Sequence, residues 1–149
     1  MKANSGMSST GQIFREGLLH VNPICSIFTT FVIYSKFMQI IDTPRQLAQL
    51  WQSREIDFTE MMKIVVDINL EILAIDGEMH ADLEEILLEN GSQQMDLWGA
   101  NIYPMRSGPD QLEFTSFINI RPSQGNRGME IVDPQICDLV RTICSTLLI

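Results

Sequence analysis

From residue 38 onward the chain alternates between two kinds of hydrophobic spacing. "MQII" (38–41) reads as a short strand. Thr43-Pro44-Arg45-Gln46 then offers a Thr N-cap, a proline at the first helical position and a glutamine able to reach back, ahead of an apolar stripe at Leu47, Leu50 and Trp51. "KIVVDI" (63–68) and "EILAID" (71–76) are β-branched and aliphatic runs joined by a very short turn, which predicts a hairpin. Leu70 in that turn is poor turn chemistry. A second helix is expected from Asp82 as N-cap, with Leu83, Ile86 and Leu87 on one side and Asn90-Gly91 as its stop.

"LWGANIYP" (97–104) and "LEFTSFINIRP" (112–122) follow as strands across the turn formers of "MRSGPD". In the second of these, Leu112, Phe114, Ser116, Ile118 and Ile120 share one face. "SQGNRGMEI" (123–131) carries too many glycines and amides for regular structure and reads as a loop. Asp133-Pro134 opens the last helix, with Ile136, Leu139, Val140, Ile143 and Leu147 on one side. The order βαββαββα predicts a single α+β domain over 38–149, its helices packed on a mostly antiparallel sheet, with the first crossover allowing one parallel pair.

Residues 1–37 differ in texture. "MKANSGMSSTGQ" is polar, and "VNPICSIFTTFVIYSKF" is too short, and too interrupted by Pro23, to span a bilayer. No stable membrane insertion is expected, and the segment is read as an N-terminal extension outside the fold. The formal charge of -9 is uneven, because residues 38–149 hold 7 basic and 18 acidic groups. Such a field repels phosphate backbones and disfavours nucleic acid as a partner. Three cysteines with no paired-ligand spacing point to a reducing, cytoplasmic compartment. Cys137 and Cys144, seven apart, fall near one helix face as small core residues.

The segments "GEMHADLEEILLENGSQQMDLWGANIYP" and "EFTSFINIRPSQGNRGMEIVDPQI" resemble an uncharacterised family of small microbial proteins, a domain of unknown function. Its pattern joins a glutamate-x-histidine-alanine-aspartate segment, an aspartate-leucine-tryptophan-glycine segment and an asparagine-x-arginine-proline…glycine-asparagine-arginine segment. The resemblance covers about 38–149. Two departures stand out: Glu71 where glycine is expected, and Gly128 where serine is. It implies an intracellular α+β domain and carries no established activity.

Two clusters carry candidate chemistry. If a strand continued to residue 82, Glu78, His80 and Asp82 would leave one face as a carboxylate–imidazole–carboxylate set for a divalent metal, with His80 and Glu78 as acid, base or ligand. The alternative makes Asp82 a helix cap and nothing more. Arg121, Gln124, Asn126 and Arg127 form the second cluster, two guanidiniums and two amides on a glycine-bearing loop. They can cradle a carboxylate or phosphate, or they can tie the loop to the sheet and to the surplus of acids. Asn101 lies on the strand between the clusters. Walker, dinucleotide, GxSxG and HExxH motifs are absent from the sequence.

Two functions from different classes are compatible with this. One is a polar site at an end of the sheet that binds a small anionic ligand or a divalent metal, with hydrolysis among its chemistries. The other is a non-catalytic module, an acidic partner of a basic protein. An exposed first hairpin would also allow a homodimer by edge pairing.

Overall fold

The computed structural model describes residues 38–54 and 60–149; what was expected of residues 1–37 lies outside them. Among the described residues five strands, β1 (Gln39–Ile41), β2 (Met62–Asp67), β3 (Ile72–Ile75), β4 (Leu97–Ile102) and β5 (Leu112–Glu113), form one sheet in the order β1-β3-β2-β4-β5. Every strand pair is antiparallel. β1 pairs with β3 rather than lying parallel to β2, because the other edge of β2 is taken along its whole length by β4. Among the described residues parallel pairing survives only as an isolated bridge between Arg45 and Leu148.

Among the described residues three helices, α1 (Leu47–Ser53), α2 (His80–Glu89) and α3 (Pro134–Leu147), cover both faces. Alternation along the strands decides which residue meets which helix. Ile64, Val66, Leu73, Ile75, Trp98, Ala100 and Ile102 face Leu47 and Leu50 of α1 and Val140, Ile143, Cys144 and Leu147 of α3. Val65, Ala74 and Leu97, one step out of phase, pack under Leu83 and Leu87 of α2. Each of these fully buried aliphatic side chains contributes about 1.5–3 kcal/mol by leaving water. Gly77 lets Leu83 of α2 pack directly against the chain before it: a Cβ there would lie 2.6 Å from Cγ of Leu83.

The expected helix starts shift for identifiable reasons. α1 begins at Leu47, not at Thr43-Pro44, because Arg45 is drawn into extended pairing with the chain end: its N–H donates to Leu147 O at 2.7 Å and its carbonyl accepts from Ile149 N at 2.9 Å. Leu47 N then donates to Ile149 O at 2.9 Å, so the C-terminal residue satisfies a donor that a side-chain cap would otherwise take. α2 begins at His80, two residues before the expected cap. α3 opens as the sequence predicts, with Asp133 Oδ1 accepting from Gln135 N at 2.8 Å. Leu139, expected on its buried side, is 46% exposed.

The largest difference is the strand expected over 112–122. It leaves the sheet after Glu113 and continues as turns over Phe117–Asn119 and Pro122–Gln124. Beside it, the backbone of Gly99 in β4 finds its partner in a side chain: Gly99 N donates to Asn119 Oδ1 at 2.8 Å, and Asn119 Nδ2 donates to Gly99 O at 2.9 Å. One amide group stands where a fifth-strand residue would have been. The close approach requires glycine, since a Cβ on Gly99 would sit 2.6 Å from Cβ of Ser116. The β2–β3 hairpin is interior to the sheet, flanked by β1 and β4. It therefore offers no free edge for the dimer expected from it.

Candidate functional site: a polar row at one end of the sheet

At the end of the sheet where β2 begins and β4 ends, three polar residues stand side by side. Lys63 is opposite Asn101, and Asn101 is opposite Glu113. Directly opposed residues of antiparallel strands project from the same face, here the face covered by α2. Tyr103, two residues beyond Asn101, closes the row by donating its hydroxyl to Glu113 Oε2 at 2.7 Å. Asn101 Nδ2 reaches the same oxygen at 3.2 Å and the carbonyl of Thr115 at 3.4 Å. Asp76, the residue after the β3 position that pairs with Ile64, is at this end too; it is buried and has a positive φ of 69°.

His80, the first residue of α2, reaches down onto the row. Its Nε2 lies 2.9 Å from Ala100 O. A carbonyl can only accept, so Nε2 carries the proton and Nδ1 keeps a lone pair. Burial lowers the His80 pKa and Lys63 lowers it further, against the opposing pull of the Ala100 carbonyl. The imidazole is therefore neutral near pH 7. Lys63, half-buried, has its own pKa lowered by burial and partly restored by Glu78. The Tyr103 phenol is pushed up, first by its bond to Glu113. Tyr103 and Glu113, at the outer end of the row, also line a cleft of about 570 Å³ together with Arg106, Asp110, Thr115, Glu130, Pro109, Leu112 and Phe114; Lys63, Asn101 and His80 do not line it.

The residues expected to form the first cluster separate. β3 ends at Ile75 and α2 starts at His80, so the strand alternation that would align Glu78, His80 and Asp82 does not exist. Asp82 is the third residue of the helix and its Oδ2 accepts from Met79 N at 3.1 Å, which makes it a capping group. Glu78 is exposed and acts on Lys63 through its charge. Among the described residues no group of three or more His, Cys, Asp or Glu side chains is placed to hold a metal ion.

The second cluster turns inward. Arg121 donates through Nε to Ile118 O at 3.0 Å, through one terminal nitrogen to Gln94 O, and through the other to Glu84 Oε1 at 3.2 Å. Its guanidinium lies 5.1 Å from the centroid of Trp98. Asn126 Nδ2 lies 2.8–2.9 Å from the carbonyls of Asn119, Gly128 and Glu130, and its Oδ1 accepts from Val132 N at 3.0 Å. Gln124 donates to Met95 O at 2.9 Å. These side chains tie the 117–132 segment to α2 and to the start of β4. Arg127 is exposed. The Arg121–Glu84 pair does bring this bend beside α2, the helix that carries His80, but it leaves Arg121 with its donors engaged.

Of the residues first singled out, the structure places His80, Glu78 and Asn101 at the polar row. Lys63, Glu113 and Tyr103 belong to it and were missed. One signal was present, a lone charge in the otherwise apolar start of β2, but the partners of Lys63 follow from strand register.

The fold and this row define a small α+β domain whose sheet, covered by helices on both faces, ends in a cluster of titratable side chains. The chain belongs to the family described as protein of unknown function DUF5674, whose model matches residues 39–147. No curated protein and no solved structure matches it.

Proposed function

We propose that the row at the end of β2 and β4 binds a small molecule through an anionic group, with the Lys63 ammonium as the counter-charge and neutral His80 as a proton acceptor at Nδ1. The observation that carries this reading is the orientation of His80. Its Nε2–H is fixed on Ala100 O while burial and Lys63 hold the ring uncharged, which is the state a general base or an acceptor for a ligand hydroxyl needs. The half-buried ammonium beside it interacts more strongly with an anion than a fully solvated one. Hydrolysis of an ester-like substrate is a chemistry open to such a pair, with His80 taking a proton from water. A divalent metal has less support, because Asp82 is engaged at the helix start.

The test is binding of acetate, succinate and inorganic phosphate, followed by the NMR shifts of the His80 ring and by calorimetry. A Kd of about 1 mM or tighter for one of them, lost in Lys63→Met and accompanied by movement of the His80 resonances, is the expected result. Absence of binding by all three overturns the reading.

A second reading, a protein-interaction module, has its own support in Phe117, 79% exposed, and Met95, 59% exposed. It predicts that Phe117→Ser abolishes capture of a partner while leaving the small-molecule panel unchanged.

A further inference from the structure

β5 is an edge strand of the sheet, and the chain just beyond it already has a neighbour on its outer side. Ile131 N donates to Phe114 O at 3.1 Å, Ser116 N donates to Met129 O at 3.0 Å, and Thr115 and Glu130 form the antiparallel bridge between these bonds. This ladder stops at Ile131. Val132 N turns away to Asn126 Oδ1 at 3.0 Å, and Asp133 caps α3. The next two places along β5, beside Glu113 and Leu112, have no strand next to them among the described residues.

Successive residues of an antiparallel strand turn their backbone groups to opposite sides. Phe114 O faces Ile131, away from β4, whereas Gln111 O accepts from Tyr103 N at 2.9 Å and so faces the side of β4. Leu112, in phase with Phe114, therefore turns its N–H and carbonyl outward. The 570 Å³ cleft lies along this edge, since it is lined from both faces of the strand, by Leu112 and Phe114 on one and by Glu113 and Thr115 on the other. A space of that size accepts a few residues of extended chain, and an unpaired strand edge is a template for one.

The charge of the lining selects the partner. Glu113, Asp110 and Glu130 contribute three carboxylates, while Arg106 is stacked 3.8 Å from the Tyr103 centroid and paired with Glu60 at 3.1 Å. We propose that this edge takes up an extended basic segment of another protein, which pairs antiparallel with Leu112 and prolongs the ladder that 129–131 begins. The residue opposite Leu112 exchanges both backbone bonds with it and is apolar, because directly opposed residues share a face. Its two neighbours lie on the face of Glu113 and are lysine or arginine. Lys63 and His80 take no part, so this inference stands or falls apart from the anion-binding reading.

The experiment titrates the full chain with an acetylated, amidated peptide, threonine-lysine-valine-lysine-threonine, followed by calorimetry and by hydrogen exchange of the Leu112 amide. Three altered peptides accompany it: one N-methylated at valine, one N-methylated at the second lysine, and one with glutamate in place of both lysines. The expected result is a Kd of about 1 mM or tighter for the parent peptide, with slowed exchange at Leu112. Methylation of valine, whose N–H meets the Leu112 carbonyl, should weaken binding about tenfold or more, and methylation of lysine, whose N–H points to solvent, by less than about threefold. The glutamate peptide should not bind, Asp110→Asn with Glu130→Gln should weaken the parent peptide, and Lys63→Met should leave every value unchanged. Equal weakening by the two methylations, or binding without protection of the Leu112 amide, overturns the strand pairing. Equal affinity of the glutamate peptide, or no effect of the double carboxylate variant, overturns the basic partner, and failure of the parent peptide to bind overturns the proposal as a whole.

Discussion

One asparagine and one glutamate show how single side chains shape this molecule. Asn119 is fully buried and completes the edge of β4 through its amide, with a further bond from Nδ2 to Met129 O at 3.0 Å. Asn119→Ala leaves the N–H and C=O of Gly99 without partners in a dry environment, and is expected to cost about 3 kcal/mol or more in urea unfolding. Asn119→Asp keeps the acceptor but turns an oxygen toward the Gly99 carbonyl, so it should be no better than alanine. Restoration of wild-type stability by aspartate would show that the donor side of the amide is dispensable. Glu71 makes the opposite case. It closes the β2–β3 turn at φ 57°, the left-handed region in which a side chain is strained, after Asp67 Oδ1 has accepted from Asn69 N and Leu70 N. Glycine was expected at this position, and the backbone supplies the reason. Glu71→Gly should raise stability by about 0.5–1 kcal/mol, the relief of strain less the extra entropy of glycine in the unfolded chain. An unchanged or lowered denaturation midpoint would contradict it.

At the scale of elements, what periodicity could disclose depended on whether backbone or side chains filled the neighbouring position. β2, β3 and β4 follow from continuous apolar runs, because both faces of each are buried, and α3 follows its helical spacing apart from Leu139. The alternation of 112–122 is equally regular, yet only two residues pair. Leu112 and Phe114 pack with one core and Ile118 with the other, an arrangement that a period of two shares with a continuous strand. The polar letters within it, Asn119 and Arg121, were legible as unusual but not as structural, since their partners lie at Gly99, Gln94 and Glu84, about twenty to forty positions away. The same holds for the site: His80 and Asn101 stood out by residue type, whereas Lys63 and Glu113 acquire meaning only from register. α1 was displaced by a contact no local window contains, its junction with the last two residues. Removing Leu148 and Ile149 takes away the bridge to Arg45 and the acceptor for Leu47 N along with the buried Leu148 side chain. Loss of the buried leucine alone is worth about 2–4 kcal/mol. Hydrogen exchange should locate the resulting opening at 45–53 rather than in α2, and protection lost evenly across the chain would argue against this junction as its cause.

For the molecule as a whole, titration offers a reading of both cores. Cys144 is sealed between α3 and the sheet, where burial pushes its thiol up to about 12; it should resist thiol reagents in native buffer and react at the rate of global unfolding. His80 couples the other face to pH. Its folded pKa lies below the usual histidine value, so between the two pKa values the unfolded chain binds more protons than the folded one. The sign follows: this contribution is complete above about pH 6.5 and is lost as pH falls below it toward the folded pKa. Paired carboxylates also titrate in acid, so the comparison must be internal. Unfolding of wild type and His80→Gln between pH 7.5 and 5 should give two profiles whose difference shrinks as pH falls. A difference that stays constant would mean that His80 titrates alike in both states, and with it would go the burial-lowered pKa that keeps the imidazole a proton acceptor below the usual histidine range.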